Sequence, residues 1–224
     1  MPGDAPSSFV GSPSSTLFMG LGQVRDLRHA AITGILPERE RAAFTGVRDL
    51  LRRVDLRPKE IDHLIRCGAL DGLAASRAAL LAEAGQINRG SADQMAFDFA
   101  APDVPPETLR RRWDWEAEVL GLPVSAFADP LALVREGLPP HTPLAALADS
   151  RGRPTTAAGV RLPGWTGGPG FFMSDGGTFV IVRADKAVKH PASWQPLLVK
   201  GRWVGDGWGS FWLHADRISP IQTV

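Results

Sequence analysis

The 224-residue chain has little of several features that define common protein classes. It contains one cysteine, so it can form neither an internal disulfide bond nor a cysteine zinc site. No apolar run approaches the roughly 18–20 residues that a membrane-spanning helix needs. The N-terminal "MPGDAPSSFVGSPSS" lacks the charged and then apolar layout of a signal peptide. Glycine and proline are abundant but follow no period, which excludes a collagen-like chain. These absences favour a globular protein of one domain or two small ones, in a reducing cytoplasm.

Charge is distributed unevenly, although the formal net value is only +1. Residues 1–99 carry 12 basic and 12 acidic side chains, residues 100–150 carry 4 and 8, and residues 151–224 carry 9 and 4. The net charges are therefore 0, −4 and +5, so the basic excess lies in the last segment. A positive field of this size can assist binding to phosphate backbones.

The apolar pattern predicts an α+β chain with a helical half, a linker and a β half. Residues 1–16 are rich in Ser, Pro and Gly and are expected to be disordered. Residues 17–86 place apolar side chains three and four positions apart, which is typical of short helices. Residues 87–156 are expected to form a linker that contains one helix. Residues 157–224 hold five short β-prone runs separated by Gly, Asp and Pro, which predicts a small antiparallel barrel.

The segment "LRPKEIDHLIRCGALDGL" (residues 56–73) carries the clearest motif. It resembles the helix-hairpin-helix region of the bacterial DNA polymerase III alpha subunits, including their error-prone branch, where such a segment follows a helix like "FTGVRDLLRRV". The order of the later parts is similar to this family as well. Tandem hairpins (Met19–Leu73), a clamp-binding peptide (Gln94–Phe99), a helix ending in Leu-Gly (Trp113–Leu122) and a barrel (Gly159–Pro220) follow one another. The resemblance covers most of the chain and implies a tandem helix-hairpin-helix domain and an oligonucleotide/oligosaccharide-binding (OB) barrel.

The resemblance also implies a function. It suggests a DNA-binding accessory module of a replicative or error-prone polymerase, acting in the bacterial nucleoid. The implied partners are single-stranded DNA, duplex DNA, the sliding clamp and a separate polymerase chain, with no membrane and no cofactor. The family's palm, with its metal-binding aspartates, lies upstream of these parts, so the chain is not expected to polymerise DNA by itself. A piece of a split polymerase, and an interaction scaffold with decayed DNA affinity, are the alternatives.

The first hairpin departs from the family at two positions. Family members have Gly-Leu-Gly where this chain has Asp26, Leu27 and Arg28. Glycine lets backbone N–H groups approach a phosphate closely, because it has no Cβ. Asp26 would repel a phosphate, whereas Arg28 could reach one with its side chain.

Basic side chains around the helical turns are candidates for contact with a duplex backbone. Arg48 and Arg52 lie four residues apart and so share one helix face. The alternative is a solvated face in which the cations alternate with acidic residues. The candidates in this half are Arg25, Arg28, Arg48, Arg52, Arg57, Lys59 and Arg66.

Aromatic side chains near cations are the candidates in the β half, since such a surface can stack single-stranded bases. Strand alternation requires about half of them to be core instead. Trp208, between Gly207 and Gly209, is expected in an exposed loop. The candidates are Phe172, Lys200, Arg202, Trp203, Trp208 and Trp212.

The hexapeptide "QMAFDF" resembles a clamp-binding peptide of the form Gln-x-x-aliphatic-x-aromatic. In that interpretation the Gln94 amide enters a polar pocket, while Phe97 and Phe99 fill an apolar one. Met95 belongs to the same clamp-binding peptide. The alternative is that Met95, Phe97 and Phe99 pack onto the helical domain as a stripe of period two.

Other chemistries find little support. The five histidines are dispersed and lack metal-ligand spacing, so no metal site is expected. The stretch "GLGQVR" follows no strand and lacks the third glycine of a dinucleotide-binding loop. Cys67, at a helix end, is predicted to be a packed thiol rather than a nucleophile.

Overall fold

The computed structural model describes residues 19–89, 104–184 and 191–222. The chain divides into two compact units, a helical one in Ser14–Ser125 and a barrel in Ala126–Val224. The N-terminus expected to be disordered, residues 1–16, and the peptide Gln94–Phe99 both lie outside the described residues. Within those residues, the structure contains no helix that is long and apolar enough to cross a membrane.

The described part of the helical unit contains five α-helices: α1 (His29–Arg41), α2 (Val47–Arg53), α3 (Pro58–Arg66), α4 (Arg77–Arg89) and α5 (Leu109–Leu120). A short 3-10 helix, Leu21–Gln23, precedes α1. The apolar residues that the sequence places three and four positions apart meet in one core, where Val47, Leu50, Ile61, Leu64 and Ile65 are almost fully buried. The prediction of short helices joined by tight turns is confirmed.

Helix α3 begins and ends where its sequence directs. Pro58 is its first residue, where the missing N–H needs no partner. The helix ends before Gly68, which has φ = 83°. This conformation favours glycine, and a Cβ at Gly68 would lie 2.3 Å from Nη2 of Arg77, so the Arg77 side chain would have to shift.

Helix α5 belongs to the helical unit and packs against α3. Thr108 caps its N-terminus by accepting a hydrogen bond from the Arg111 N–H at 3.2 Å. Gly121 ends it in the left-handed conformation, with φ = 81°. Its buried face includes Trp113 and Trp115.

Five strands form a closed barrel: β1 (Pro154–Leu162), β2 (Phe171–Ser174), β3 (Phe179–Ala184), β4 (Pro196–Gly205) and β5 (Phe211–Pro220). The order around the barrel is β1-β2-β3-β5-β4, and β4 pairs with β1 to close it. The pairs are antiparallel except for β3 and β5, which run parallel. This strand count and order are those of an OB-fold, as the sequence predicted. Inward side chains fill the barrel, among them Phe171, Met173, Val182, Leu197 and Leu213.

Asp175 organises one end of the barrel. Its Oδ1 accepts hydrogen bonds from the N–H groups of Gly177 and Thr178, which shapes the β2–β3 turn. Its Oδ2 accepts from the N–H of Leu144, at the start of the 3-10 helix Leu144–Ser150. Leu144 and Leu147 of that helix pack into the barrel core. One carboxylate thus joins a turn to the helix that covers the core.

Candidate nucleic-acid interface

The outer face of β2 and β3 carries an open pair of phenylalanines. Phe171 and Met173 point into the barrel, so alternation along β2 directs Phe172 outward. Phe172 meets the edge of the Phe179 ring from β3, with ring centroids 6.1 Å apart and planes at 77°. Phe179 is 60% exposed, so this aromatic pair is open to solvent. Its surface can accept a flat apolar ring.

Strand β5 continues this face with an aromatic ring and a cation. Leu213 and Ala215 are buried in the barrel, so Trp212 lies on the outer side. The Arg183 guanidinium of β3 lies 4.1 Å from the centroid of the Trp212 ring. This contact holds a positive charge beside an aromatic surface, which is the combination that a base and its phosphate require.

Two loops beside this face each expose a tryptophan. Trp165 in the β1–β2 loop is 83% exposed, and Trp208 in the β4–β5 loop is 94% exposed. These are the two loops with which OB-folds bind oligonucleotides. In the second loop, Asp206 accepts hydrogen bonds from the N–H groups of Ser210 at 3.0 Å and Trp208 at 2.9 Å. These bonds lower the pKa of the Asp206 carboxyl, so an ionised carboxylate holds the loop that presents Trp208. The outer side of β2, β3 and β5, together with these two loops, forms the aromatic face.

The other candidates of the β half have different positions. Arg202 is exposed on β4 and lies opposite His214 of β5, beside the aromatic face. Lys200 is also exposed on β4, but it lies between β1 and Arg217 of β5. Trp203 packs against the barrel core and stacks on Phe211, with ring centroids 6.1 Å apart. The structure therefore brings Phe172, Trp212 and Arg202 to the same side and turns Trp203 toward the core.

Three residues of the aromatic face were not predicted from the sequence: Trp165, Phe179 and Arg183. A signal existed for Trp165, because it is followed by Thr166 and two glycines and preceded by Gly164, much as Trp208 lies between glycines. Arg183 carried no local signal, since its contact with Trp212 depends on the parallel pairing of β3 with β5.

In the helical unit, the first hairpin (residues 24–28) is filled by a carboxylate of the same chain. Asp26 has φ = 58°, the left-handed conformation that glycine adopts most easily. Arg28 donates to Glu60 from Nε at 2.7 Å and from Nη2 at 2.9 Å, and its backbone N–H donates to the same carboxylate at 3.1 Å. The N–H of Arg57 donates to Glu60 at 2.7 Å. Two amides and one guanidinium thus surround this anion, as they would surround a phosphate.

The electrostatics of the hairpin follow from this arrangement. The bonds from Arg28 lower the pKa of the buried Glu60 carboxyl to about 2, although burial alone would raise it. Lys59 lies 2.8 Å from Asp26, and its hydrogen bond lowers the pKa of the Asp26 carboxyl. Two candidate cations, Arg28 and Lys59, are therefore paired with carboxylates of their own unit.

The remaining helical candidates fall into two groups. Arg66 lies 2.8 Å from Asp62 and 3.1 Å from Glu118, and Arg52 lies 3.0 Å from Asp49. The second group is exposed and, in the part of the chain that the structure describes, forms no ion pair: Arg25, Arg48 and Arg57.

A buried ion pair that the sequence did not reveal supports this unit. Arg77 is 5% exposed and donates from Nη1 to Glu116 of α5 at 2.9 Å. It also forms a two-pronged contact with Asp71, at 2.9 and 2.8 Å. Glu116 is 1% exposed and accepts the Ser125 N–H at 2.8 Å. The segment from Gly68 to Asp71 is therefore structural, because Asp71 binds Arg77 beside Gly68.

Neither metal nor thiol chemistry gains support here. Among the described residues there is no group of three or more His, Cys, Asp or Glu that could hold a metal ion. Cys67 is half-buried, its thiol donates to the Leu64 carbonyl at 3.4 Å, and burial raises its pKa. A raised pKa disfavours the reactive thiolate.

Comparisons with known proteins match this architecture. A helix-hairpin-helix family model matches residues 6–80. The chain is 28% identical to an error-prone DNA polymerase of Cutibacterium acnes and 27% identical to one of Corynebacterium glutamicum, over 91% and 94% of its length. It is 31% identical over 75% of its length to an error-prone DNA polymerase of Alkalilimnicola ehrlichii. The alignments cover only 19%, 21% and 17% of these relatives, so the chain spans about a fifth of their length.

Two solved structures are similar to part of the chain. The hypothetical protein ygiW from E. coli is 14% identical with a TM-score of 0.33, over 37% of this chain and 91% of its own. The asparaginyl-tRNA synthetase of Pyrococcus horikoshii, complexed with asparaginyl-adenylate, is 17% identical with a TM-score of 0.32, over 39% of this chain and 23% of its own. The barrel is assigned from its own strand order and register. With its helix-hairpin-helix motif and the OB barrel that follows, the chain is similar to one part of the error-prone DNA polymerases, and its resemblance to the polymerase III alpha-like polymerases is confirmed.

Proposed function

We propose that this chain is a DNA-binding accessory module of a polymerase III alpha-like polymerase, and that its barrel binds single-stranded DNA on the aromatic face. The observation that carries the proposal is the exposure of Trp165 and Trp208 on the two loops beside that face. Large rings in water are unfavourable unless a partner covers them, and unpaired bases offer flat surfaces of the right chemistry. Each base stacked on such a ring is worth ~1–3 kcal/mol.

The charge of the barrel unit supports the same ligand. Residues 126–224 carry 10 basic and 7 acidic side chains, for a net charge of +3. Arg183 and Arg202 lie on or beside the aromatic face and are available to phosphates. The rings contact bases and the cations contact the backbone, so binding depends little on sequence and strongly on salt.

The helical unit has a smaller role in this proposal. Its exposed cations Arg25, Arg48 and Arg57 contact duplex backbone, while the first hairpin, already occupied by Glu60, does not clamp a phosphate. The peptide Gln94–Phe99 tethers the chain to the sliding clamp, next to a separate catalytic polymerase chain in the bacterial nucleoid. The similarity to error-prone DNA polymerases supports the polymerase partner.

Fluorescence anisotropy with a labelled single strand of twenty thymidines tests the main proposal. Trp165→Ala and Trp208→Ala are each expected to weaken binding by about 5-fold or more, because each removes one stacking ring. Trp208→Phe is the matched control and should retain most of the affinity. Absence of any salt-sensitive binding by the unaltered chain at low ionic strength would refute the proposal.

A pull-down with purified sliding clamp tests the tether separately. The double variant Gln94→Ala/Phe99→Ala should lose the clamp and keep its affinity for single-stranded DNA. Equal recovery of the clamp by both proteins would remove the tether from the proposal. Clamp binding without DNA binding would favour the interaction scaffold instead.

A further inference from the structure

The barrel has a second surface feature, away from β2 and β3. It is an open groove of about 910 Å³ formed by the strands β1, β4 and β5 and the residues that lead into β1. Its lining combines cations, hydroxyls and two carboxylates, and it contains no Trp or Phe. The charged side chains of the lining are Asp149, Arg153, Lys200, Asp216 and Arg217, and its hydroxyls include that of Thr156.

Two like charges face each other in this groove. Lys200 of β4 lies directly opposite Arg217 of β5 in the antiparallel register, and both side chains are exposed. Like charges in such a pair repel and destabilise a sheet. Within the described residues neither forms an ion pair with a carboxylate. An arrangement that costs stability and leaves two cations uncompensated suits an anion from outside the barrel.

A β-bulge shapes the same spot. The register of β4 with β5 shifts between Lys200 and Gly201, so that Lys200 faces Arg217 while Gly201 faces Ala215. Asp216 is the extra residue, and its side chain is exposed like that of Arg217. A Cβ at Gly201 would lie only 2.0 Å from the His214 carbonyl oxygen, so the close approach of the strands requires glycine. Bulges redirect side chains beside functional sites.

The chemistry of the groove differs from that of the aromatic face. A phosphate needs charge and hydrogen-bond donors, which Lys200, Arg217 and the Thr156 hydroxyl supply, but it needs no ring. The groove therefore fits a sugar–phosphate backbone better than it fits bases. Arg202, two residues after Lys200 on β4 and opposite His214, lies between the groove and the aromatic face.

We propose that this groove is a second backbone site, in which Lys200 and Arg217 hold phosphates of the strand whose bases stack on the aromatic face. The inference rests on the proposed function and adds a path for the DNA strand across β4 of the barrel. It predicts that the barrel holds bases on one side and only backbone on the other.

The test is the salt dependence of binding to the strand of twenty thymidines. The double variant Lys200→Ala/Arg217→Ala removes two phosphate contacts, so the slope of log K against log salt should flatten by about 1.4. Quenching of Trp fluorescence by the bound strand should persist, because the stacking rings remain. The charge-preserving control Lys200→Arg/Arg217→Lys should keep the slope of the unaltered chain.

The outcomes distinguish a failure of the proposed function from a failure of the second backbone site. An unaltered chain that fails to bind the strand overturns the proposed function and this inference with it. Binding with the same slope in the alanine double variant overturns only the second site. A loss of binding to polyglutamate without a change in DNA binding would assign the groove to an acidic protein segment and likewise overturn the inference. Thermal unfolding verifies that both variants fold, and removal of opposed like charges should not lower the Tm.

Discussion

The helical unit and the barrel differ in the groups that surround their cations. In the helical unit Arg28, Lys59 and Arg66 each contact a carboxylate of the same unit. In the barrel Arg183 lies over an aromatic ring, and Lys200 faces another cation. Both regions are rich in arginine, yet among the described residues the helical unit pairs most of its cations with carboxylates, whereas the barrel pairs few.

This difference shows that the number of cations does not measure the capacity to bind an anion. A guanidinium that already donates to a carboxylate has fewer free donors and a locally compensated charge, so DNA must compete with that carboxylate for it. We therefore expect changes to ion pairs in the helical unit to alter stability, and changes to cations in the barrel to alter binding.

Removal of the buried partner of Arg77 should have the largest effect. Glu116→Ala removes the α5 carboxylate from the buried Arg77 guanidinium, which keeps Asp71, and takes the acceptor from the Ser125 N–H. Loss of one partner of a buried pair costs up to ~3–5 kcal/mol. Denaturant unfolding measures this change in the free energy of unfolding. Asp114→Ala, which removes an exposed ion pair of the same helix, is the control and should change it by ~0.5 kcal/mol or less. Equal effects from the two variants would contradict the structural role of the buried pair.

Acid should destabilise the helical unit through Glu60. The pKa of this carboxyl falls from 4.5 to about 2 on folding, so its contribution is complete above about pH 5 and is lost as the pH falls toward 2. At 1.36 kcal/mol per pKa unit the loss amounts to at most about 3 kcal/mol.

Unfolding curves at a series of pH values measure this loss, and Glu60→Gln supplies the reference. The variant should be less stable at neutral pH and should show a flatter acid dependence. Parallel curves for the two proteins between pH 2 and pH 5 would show that Glu60 is not responsible.

On the barrel, Arg183→Ala should act on binding. The loss of one cation beside Trp212 is expected to weaken binding of single-stranded DNA about 5-fold, which corresponds to ~1 kcal/mol. The free energy of unfolding should change by less than this ~1 kcal/mol. The matched control is Arg151→Ala, which removes a guanidinium from over the Phe211 ring instead. If the two variants bind single-stranded DNA with equal affinity, the contact between Arg183 and Trp212 makes no specific contribution to binding.

Asp26→Gly should have the smallest effect. Glycine relieves the left-handed strain at φ = 58°, but it adds freedom to the unfolded chain and removes the exposed ion pair with Lys59, so the effects on the free energy of unfolding largely cancel. Because Glu60 still fills the hairpin, affinity for duplex DNA at low salt should change by less than about 2-fold. A large gain in duplex binding would show that the hairpin is open to phosphate after all.

The sequence predicts elements well where local chemistry decides them. Pro58 and Gly68 bound α3, and the exposure of Trp208 follows from its glycine neighbours. The five β-prone runs became the five strands of the barrel. Local patterns also indicated that half of the barrel aromatics must be core, but not which half.

The parts that could not be predicted depend on distant partners. Arg28 meets Glu60 across 32 positions, and Arg77 meets Glu116 across 39. An arginine that will bind a buried carboxylate has the same local sequence as one that will bind DNA. Trp203 likewise turns toward the core because of the barrel register, which no short window of sequence contains.

The carboxylate in the first hairpin has a consequence for how the protein responds to its ligand. Glu60 acts as a covalently attached occupant of that hairpin, present at an effective concentration that free DNA cannot match. A ligand stabilises only the state and the region to which it binds. Added single-stranded DNA should therefore protect amide hydrogens of the barrel from exchange and leave those around Glu60 nearly unchanged. The first hairpin is in effect already bound, whether or not DNA is present.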